Sequence, residues 1–181
     1  MNKSDITDID NALKDFPDNL SKLIKGSLDT KNSVKKLAAR STLAGMGKTI
    51  IPKMHKLLGS PKRLLRIEAA KIVELIADRK SIPSLIRLLD DTEFDIRWIA
   101  GEGLIKIGRR SILPLLKSVR DGESSHFHNE STHHVLLSLL TETEKGKLGP
   151  LLFSLENYHH LGETAPVEAS KALRTVFKCK T

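Results

Sequence analysis

Pro52, Pro83 and Pro114 stand 31 residues apart, and the residues around them repeat at the same interval. Three segments align without gaps: VKKLAARSTLAGMGKTIIPKMHKLL from Val34, LRIEAAKIVELIADRKSIPSLIRLL from Leu65 and IRWIAGEGLIKIGRRSILPLLKSVR from Ile96. Lys35, Arg66 and Arg97 keep the same register. A fourth copy, THHVLLSLLTETEKGKLGPLLFSLE, begins at Thr132. Matching His133 to Arg97 and Pro150 to Pro114 leaves five extra residues, which this alignment assigns to the connector around 121–131. Self-similarity at such a period means an array of supersecondary units.

Each copy reads as two helices. Leu65, Ala69, Ile72, Val73 and Ile76 recur at helical spacing and give one apolar stripe. The polar break DRKS follows, and Pro83 then opens a second helix carrying Leu85, Ile86, Leu88 and Leu89. Proline suits a first turn because the N–H groups there have no intrahelical acceptor. One such pair cannot bury its stripe, so stability must come from stacking on neighbours. Half-units close the ends. Phe16 and Pro17 with Leu20, Leu23 and Ile24 read as a second helix, and PVEASKALRTVF as a first helix with Val167, Ala169, Leu173 and Val176 inward.

The pattern V/I-R-x-x-A-A followed by I-P-x-L-x-x-L-L resembles HEAT-like repeats of the phycobilisome-lyase type found in many bacterial proteins. Lys35, Arg66 and Arg97, the alanine pairs at 38–39 and 69–70, and the three Ile/Leu-Pro pairs carry the likeness over about residues 16–178. It implies an all-α, armadillo-like, right-handed α-α superhelix of about 4–5 helical pairs. It also implies a single repeat domain over 1–181, with repeats at about 8–33, 34–64, 65–95, 96–131 and 132–165 and a capping helix at 166–178. An interrepeat ladder would occupy the arginines, with the acidic run of residues 90–95 as partner. Scaffolds, lyases, hydroxylases and glycosylases share this fold, so function has to be argued from particular residues.

Charge is unevenly placed. Of a net +8, residues 31–80 alone hold 13 Lys/Arg against 3 Asp/Glu. Such a field favours an acidic protein segment or a phosphate backbone. The residues expected to meet an acidic partner are Lys35, Lys53, Lys56, Lys62, Arg63, Arg87 and Lys117, on the second helices and on connectors that depart from the repeat. Nucleic acid is less favoured, since Trp98 and Tyr158 offer little for bases to stack on. The single cysteine, Cys179, excludes an intrachain disulfide and suits a reducing compartment. The first residues are acidic with no apolar run of signal type, and no segment is apolar for a membrane-spanning length. A cytoplasmic protein is the expectation.

Six of the seven histidines lie beyond residue 125. His126, His128, His133 and His134 with Glu130, and then His159 and His160, fall in segments that the repeat places side by side. Imidazole and carboxylate together suit Zn or Fe, and a helix over 126–134 would align His126, Glu130 and His134 on one face. Ordinary packing or a polar ligand surface would use the same residues, and no H-E-x-x-H occurs.

Other motifs mislead. The GMGKT of residues 45–49 has Thr42 where a phosphate-binding loop requires glycine, and it ends a helix instead of following a strand. No G-x-S-x-G elbow is present. Gly101 and Gly103 inside a helix point to close packing, and Trp98, matching Ile67, reads as a packing residue. The sequence therefore favours a non-enzymatic interaction module without a cofactor. A metal-dependent or lyase-like enzyme on the histidines and a nucleic-acid binder are the alternatives.

Overall fold

The computed structural model describes residues 3–29, 31–122, 125–157 and 164–178. Among these there are α-helices and short 3-10 turns and no strand. The chain divides into two compact units, Met1–Ser81 and Ile82–Thr181. The first contains α1 (Lys3–Leu13), α2 (Asp18–Ser27), α3 (Ser33–Gly45), α4 (Ile51–Leu58) and α5 (Arg63–Ile76). The second contains α6 (Ile82–Leu88), α7 (Phe94–Ile107), α8 (Ile112–Arg120), α9 (His126–Leu139), α10 (Glu142–Lys147), α11 (Gly149–Glu156) and α12 (Ala165–Thr175). Pro52, Pro83, Pro114, Pro150 and Pro166 all fall in first turns, where their missing N–H costs nothing.

Packing follows the repeat. α2 packs on α3, α4 on α5, and α6 on α7, so a second helix meets the first helix of the next copy. The stripe predicted for α5 is buried at Leu65, Ala69, Ile72 and Val73 and half-buried at Ile76, and Ile96, Ala100 and Leu104 of α7, in the same register as Leu65, Ala69 and Val73, are buried too. The repeat arginines are structural, and carbonyls receive them. Arg66 Nη1 donates to Ser60 O at 3.0 Å and Pro61 O at 3.2 Å. Arg97 Nη1 donates to Asp91 O at 2.8 Å and Thr92 O at 3.2 Å, so each guanidinium ties the preceding connector to its helix.

Three details differ from the gap-free alignment. In α3, Val34, Ala38 and Thr42 match Leu65, Ala69 and Val73 by sequence, yet all three are exposed. Ala39 and Leu43 turn inward instead, and Gly26 of α2 comes so near that an added Cβ would lie 3.2 Å from Ala39 Cβ. The 3-10 turn that follows, Gly47–Ile50, is one residue longer than its counterparts Arg79–Ser81 and Arg109–Ser111.

Second, α9 runs through the repeat boundary expected at 131/132. Its buried residues His128, Asn129, Thr132, Val135 and Leu136 stand 32 positions after Ile96, Arg97, Ala100, Gly103 and Leu104, all buried in α7. The 32-residue offset places one of the five extra residues before α9 and the other four after it, in the stretch that contains α10. A capping box between Thr141 and Glu144 satisfies the first N–H groups of α10, and Arg109 pairs with Glu144 at 2.6 Å.

Third, α8 packs mainly against α12, with a lesser contact to α9, the helix next in the chain. Ala165, Ala169 and Ala172 let α12 approach closely, and Leu173 fills the space, in a cluster with Ile112, Leu116 and Val119 of α8 and Leu151, Leu152 and Leu155 of α11. Val167, expected inward, is exposed.

Candidate interaction surfaces

The seven basic residues expected at a partner surface fall in both units. In the first, Lys35 is largely exposed, with Asp29 at 3.7 Å. Lys53 is half-buried on α4 and has no ion pair among the described residues. Lys56 meets Asp15 at 2.9 Å and lies 5.7 Å from the centre of the Phe16 ring. Lys62 meets Asp8 at 2.5 Å, and this hydrogen bond holds its ammonium pKa above the ordinary lysine value. Arg63 is exposed at the start of α5. Lys36 and Arg40 are engaged elsewhere, on the buried carboxylate of Glu68. In the second unit, Arg87 donates to Ser84 Oγ at 3.3 Å, and Lys117 is exposed on α8.

The histidines of α9 are divided by the helix that carries them. His128 faces inward, with Nε2 3.2 Å from Ser118 Oγ and Nδ1 3.3 Å from Thr132 Oγ1. Burial pushes its pKa down, against the pull of Asp90. Ser118 already donates to Leu115 O at 2.8 Å, so the neutral ring donates from Nε2 and accepts from Thr132. That polarity is the reverse of what activation of Ser118 as a nucleophile requires, because a base must receive the serine proton. His126 lies against Phe127, with ring centres 3.8 Å apart. Asn129 takes the position of the repeat arginine, and its buried Oδ1 has no hydrogen-bond partner among the described residues.

His133 and His134 open instead onto a groove of about 340 Å³ between α7 and α9, lined with Phe94, Trp98, Gly101, Glu130 and Leu137. His134 stacks on Trp98 at 4.7 Å between ring centres and meets Glu102 at 3.1 Å. Burial lowers the pKa of His133. Trp98, read as packing from the alignment, is half exposed at 49%. The signal for this groove was an aromatic pair four residues apart on α7, which packing accounts for equally well. Beneath it, the Arg97 guanidinium sits 3.9 Å from the centre of the Phe127 ring.

Among the described residues, no group of three or more His, Cys, Asp and Glu side chains is placed to hold a metal ion. His159 and His160, the other half of the expected cluster, lie outside the described residues. No helix among the described residues is long and apolar enough to cross a membrane.

The model of the HEAT-repeat family matches residues 16–105 and again 51–127, more than half of the chain. This chain is a HEAT-repeat protein. HEAT repeats commonly mediate protein–protein interaction, and the matched stretches cover α2 to α8, where the 31-residue register is kept. No curated protein and no solved structure matches the chain.

Proposed function

We propose that this HEAT-repeat chain is a non-enzymatic scaffold whose N-terminal unit holds an acidic segment of a partner protein in the cytoplasm. The observation that carries the reading is the division of charge between the units. Residues 1–81 hold 17 Lys/Arg against 9 Asp/Glu, while residues 82–181 hold 13 against 13. However the acids of the first unit are paired, its cations remain in excess, and that excess attracts anionic chains at long range. Lys35, Lys53, Lys56, Lys62 and Arg63 form the proposed contact set, and Arg87 and Lys117 belong to the neutral second unit.

Fluorescence anisotropy with labelled polyglutamate tests this. Saturable binding that weakens with salt, and that is lost in Lys53→Glu/Lys56→Glu, supports it. Absence of binding at low salt refutes it. Tighter binding of duplex DNA than of polyglutamate would move the reading to nucleic acid. Stoichiometric Zn or Fe in protein purified without a tag would favour the histidine-centred enzyme.

A further inference from the structure

α1 is held differently from the other helices of its unit. Among the described residues, α1 makes fewer close backbone approaches to any one element than α2 makes to α3 or α4 to α5. Its attachment is made by side chains. Ile9 and Leu13, one turn apart, are buried. Asp8 reaches Lys62 at 2.5 Å and Asp10 reaches Lys25 at 2.6 Å. Just beyond the helix Asp15 reaches Lys56 at 2.9 Å, beside the buried Phe16. The three lysines come from α2, α4 and the connector between α4 and α5, so the segment bridges three places at once.

We infer that the surface formed by Lys25, Lys56 and Lys62 is a receptor for an acidic amphipathic helix, that α1 fills it in cis, and that a partner helix of the same pattern displaces α1. This rests on the reading of the N-terminal unit as a binder of acidic segments and names the form of the segment. The chemistry is generic enough to be exchanged. α1 presents two apolar residues at i, i+4 flanked by carboxylates, a pattern that many amphipathic helices supply. The ion pairs are partly exposed on both sides, 48% and 51% for Lys25 with Asp10 and 58% and 61% for Lys56 with Asp15, so salt and competing carboxylates reach them. Removal of α1 also uncovers charge, because residues 17–81 carry 15 Lys/Arg against 5 Asp/Glu. Tethering gives α1 a high local concentration, so a partner wins only by offering more carboxylates or when α1 is loosened.

The experiment uses the full chain and a fluorescein-labelled synthetic peptide of residues 1–16 as probe. In Asp8→Asn/Asp10→Asn/Asp15→Asn the cis contact is weakened at exposed positions. Circular dichroism establishes that the remaining helices stay folded. The variant is expected to bind the peptide at least about tenfold more tightly than the parent chain, since the tethered competitor is weakened. Adding Lys56→Glu/Lys62→Glu should abolish that binding. Equal affinity of parent and variant, or no binding to either, overturns the inference. If polyglutamate binds parent and variant alike while the peptide binds neither, the acidic-segment reading stands and the helix receptor falls. If the peptide discriminates and polyglutamate does not bind, the receptor stands and the broader reading falls.

Discussion

Arg40 on α3 and Glu68 on α5 share three hydrogen bonds, from Nε to Oε2 at 3.1 Å and from Nη2 to the two carboxylate oxygens at 2.9 and 2.8 Å. Glu68 is 3% exposed, and its other cation is Lys36 at 3.3 Å. Glu68 occupies a repeat position that Ile99 fills in α7, so the carboxylate has been taken into a place built for an apolar side chain. Arg40→Ala leaves that charge buried with one lysine, and should destabilise the chain by about 2–4 kcal/mol in urea denaturation. Arg40→Leu/Glu68→Leu removes both charges and should fall within about 1 kcal/mol of the parent. A double variant as damaged as Arg40→Ala would show that the pair stabilises the fold outright.

Gly101 supports the opposite expectation from the one its place in a helix suggests. A Cβ there would meet Val135 Cγ2 at 3.5 Å and His134 Cδ2 at 3.8 Å, which is ordinary van der Waals contact. Alanine also loses less backbone entropy in a helix interior, so Gly101→Ala should raise stability by roughly 0.5–1 kcal/mol. A thermal melt shifted downward would mean that α7 and α9 need the closer approach after all.

How much could be read from the sequence depended on which interaction sets the position. Where burial of a stripe decides, as for Leu65, Ala69 and Val73, period and packing agree, and the helix pairs, their prolines and the structural arginines follow. Two prolines with an insertion between them fix a distance but not where the extra residues sit, so the sequence places all five around residues 121–131 whereas four of them follow α9. Asn129 gave no signal as the counterpart of Arg97, because only the burial pattern of α9 reveals the register. The site was less legible. Charge counting singles out Lys56 and Lys62, but their engagement by Asp15 and Asp8 is a tertiary fact that it cannot supply. The groove beside Trp98 likewise depends on a helix–helix contact with His134.

The seating of α12 on α8 makes Leu173 a central residue, 1% exposed in a cluster drawn from α8, α9 and α11. Truncation to alanine leaves a cavity that the alanine-rich neighbouring surface closes poorly. Leu173→Ala should cost about 2–4 kcal/mol. Val167→Ala on the same helix, at a position 53% exposed, should stay within about 0.5 kcal/mol of the parent. Equal effects at the two positions would mean that α12 is rotated from the orientation described, with Val167 in the core as the repeat alignment suggests.

Of the groups in the second unit that lose stabilising free energy on acidification, His128 and Glu144 do so in separate windows, with His133 sharing the upper one and Asp121 the lower. His128 is held below its ordinary value of 6.5 by burial, so above that pH both folded and unfolded chains carry it neutral. As pH falls below 6.5 the unfolded chain takes the proton first, and stability declines until the folded pKa is passed. Glu144 is depressed from 4.5 to about 2, first by its hydrogen bonds from Arg109 and then by those from Thr141. Its contribution is whole above 4.5 and is lost as pH drops from there towards 2. With Arg109 half exposed and the pair open to solvent screening, roughly 1 kcal/mol is at stake. Urea midpoints measured from pH 7 to 3 should therefore fall in two steps. His128→Asn should shrink the upper step, leaving the part due to His133, and Glu144→Gln should shrink the lower. A parent curve that stays level between pH 6.5 and 5 would place the His128 ring in contact with water, contrary to its burial against Ser118 and Thr132.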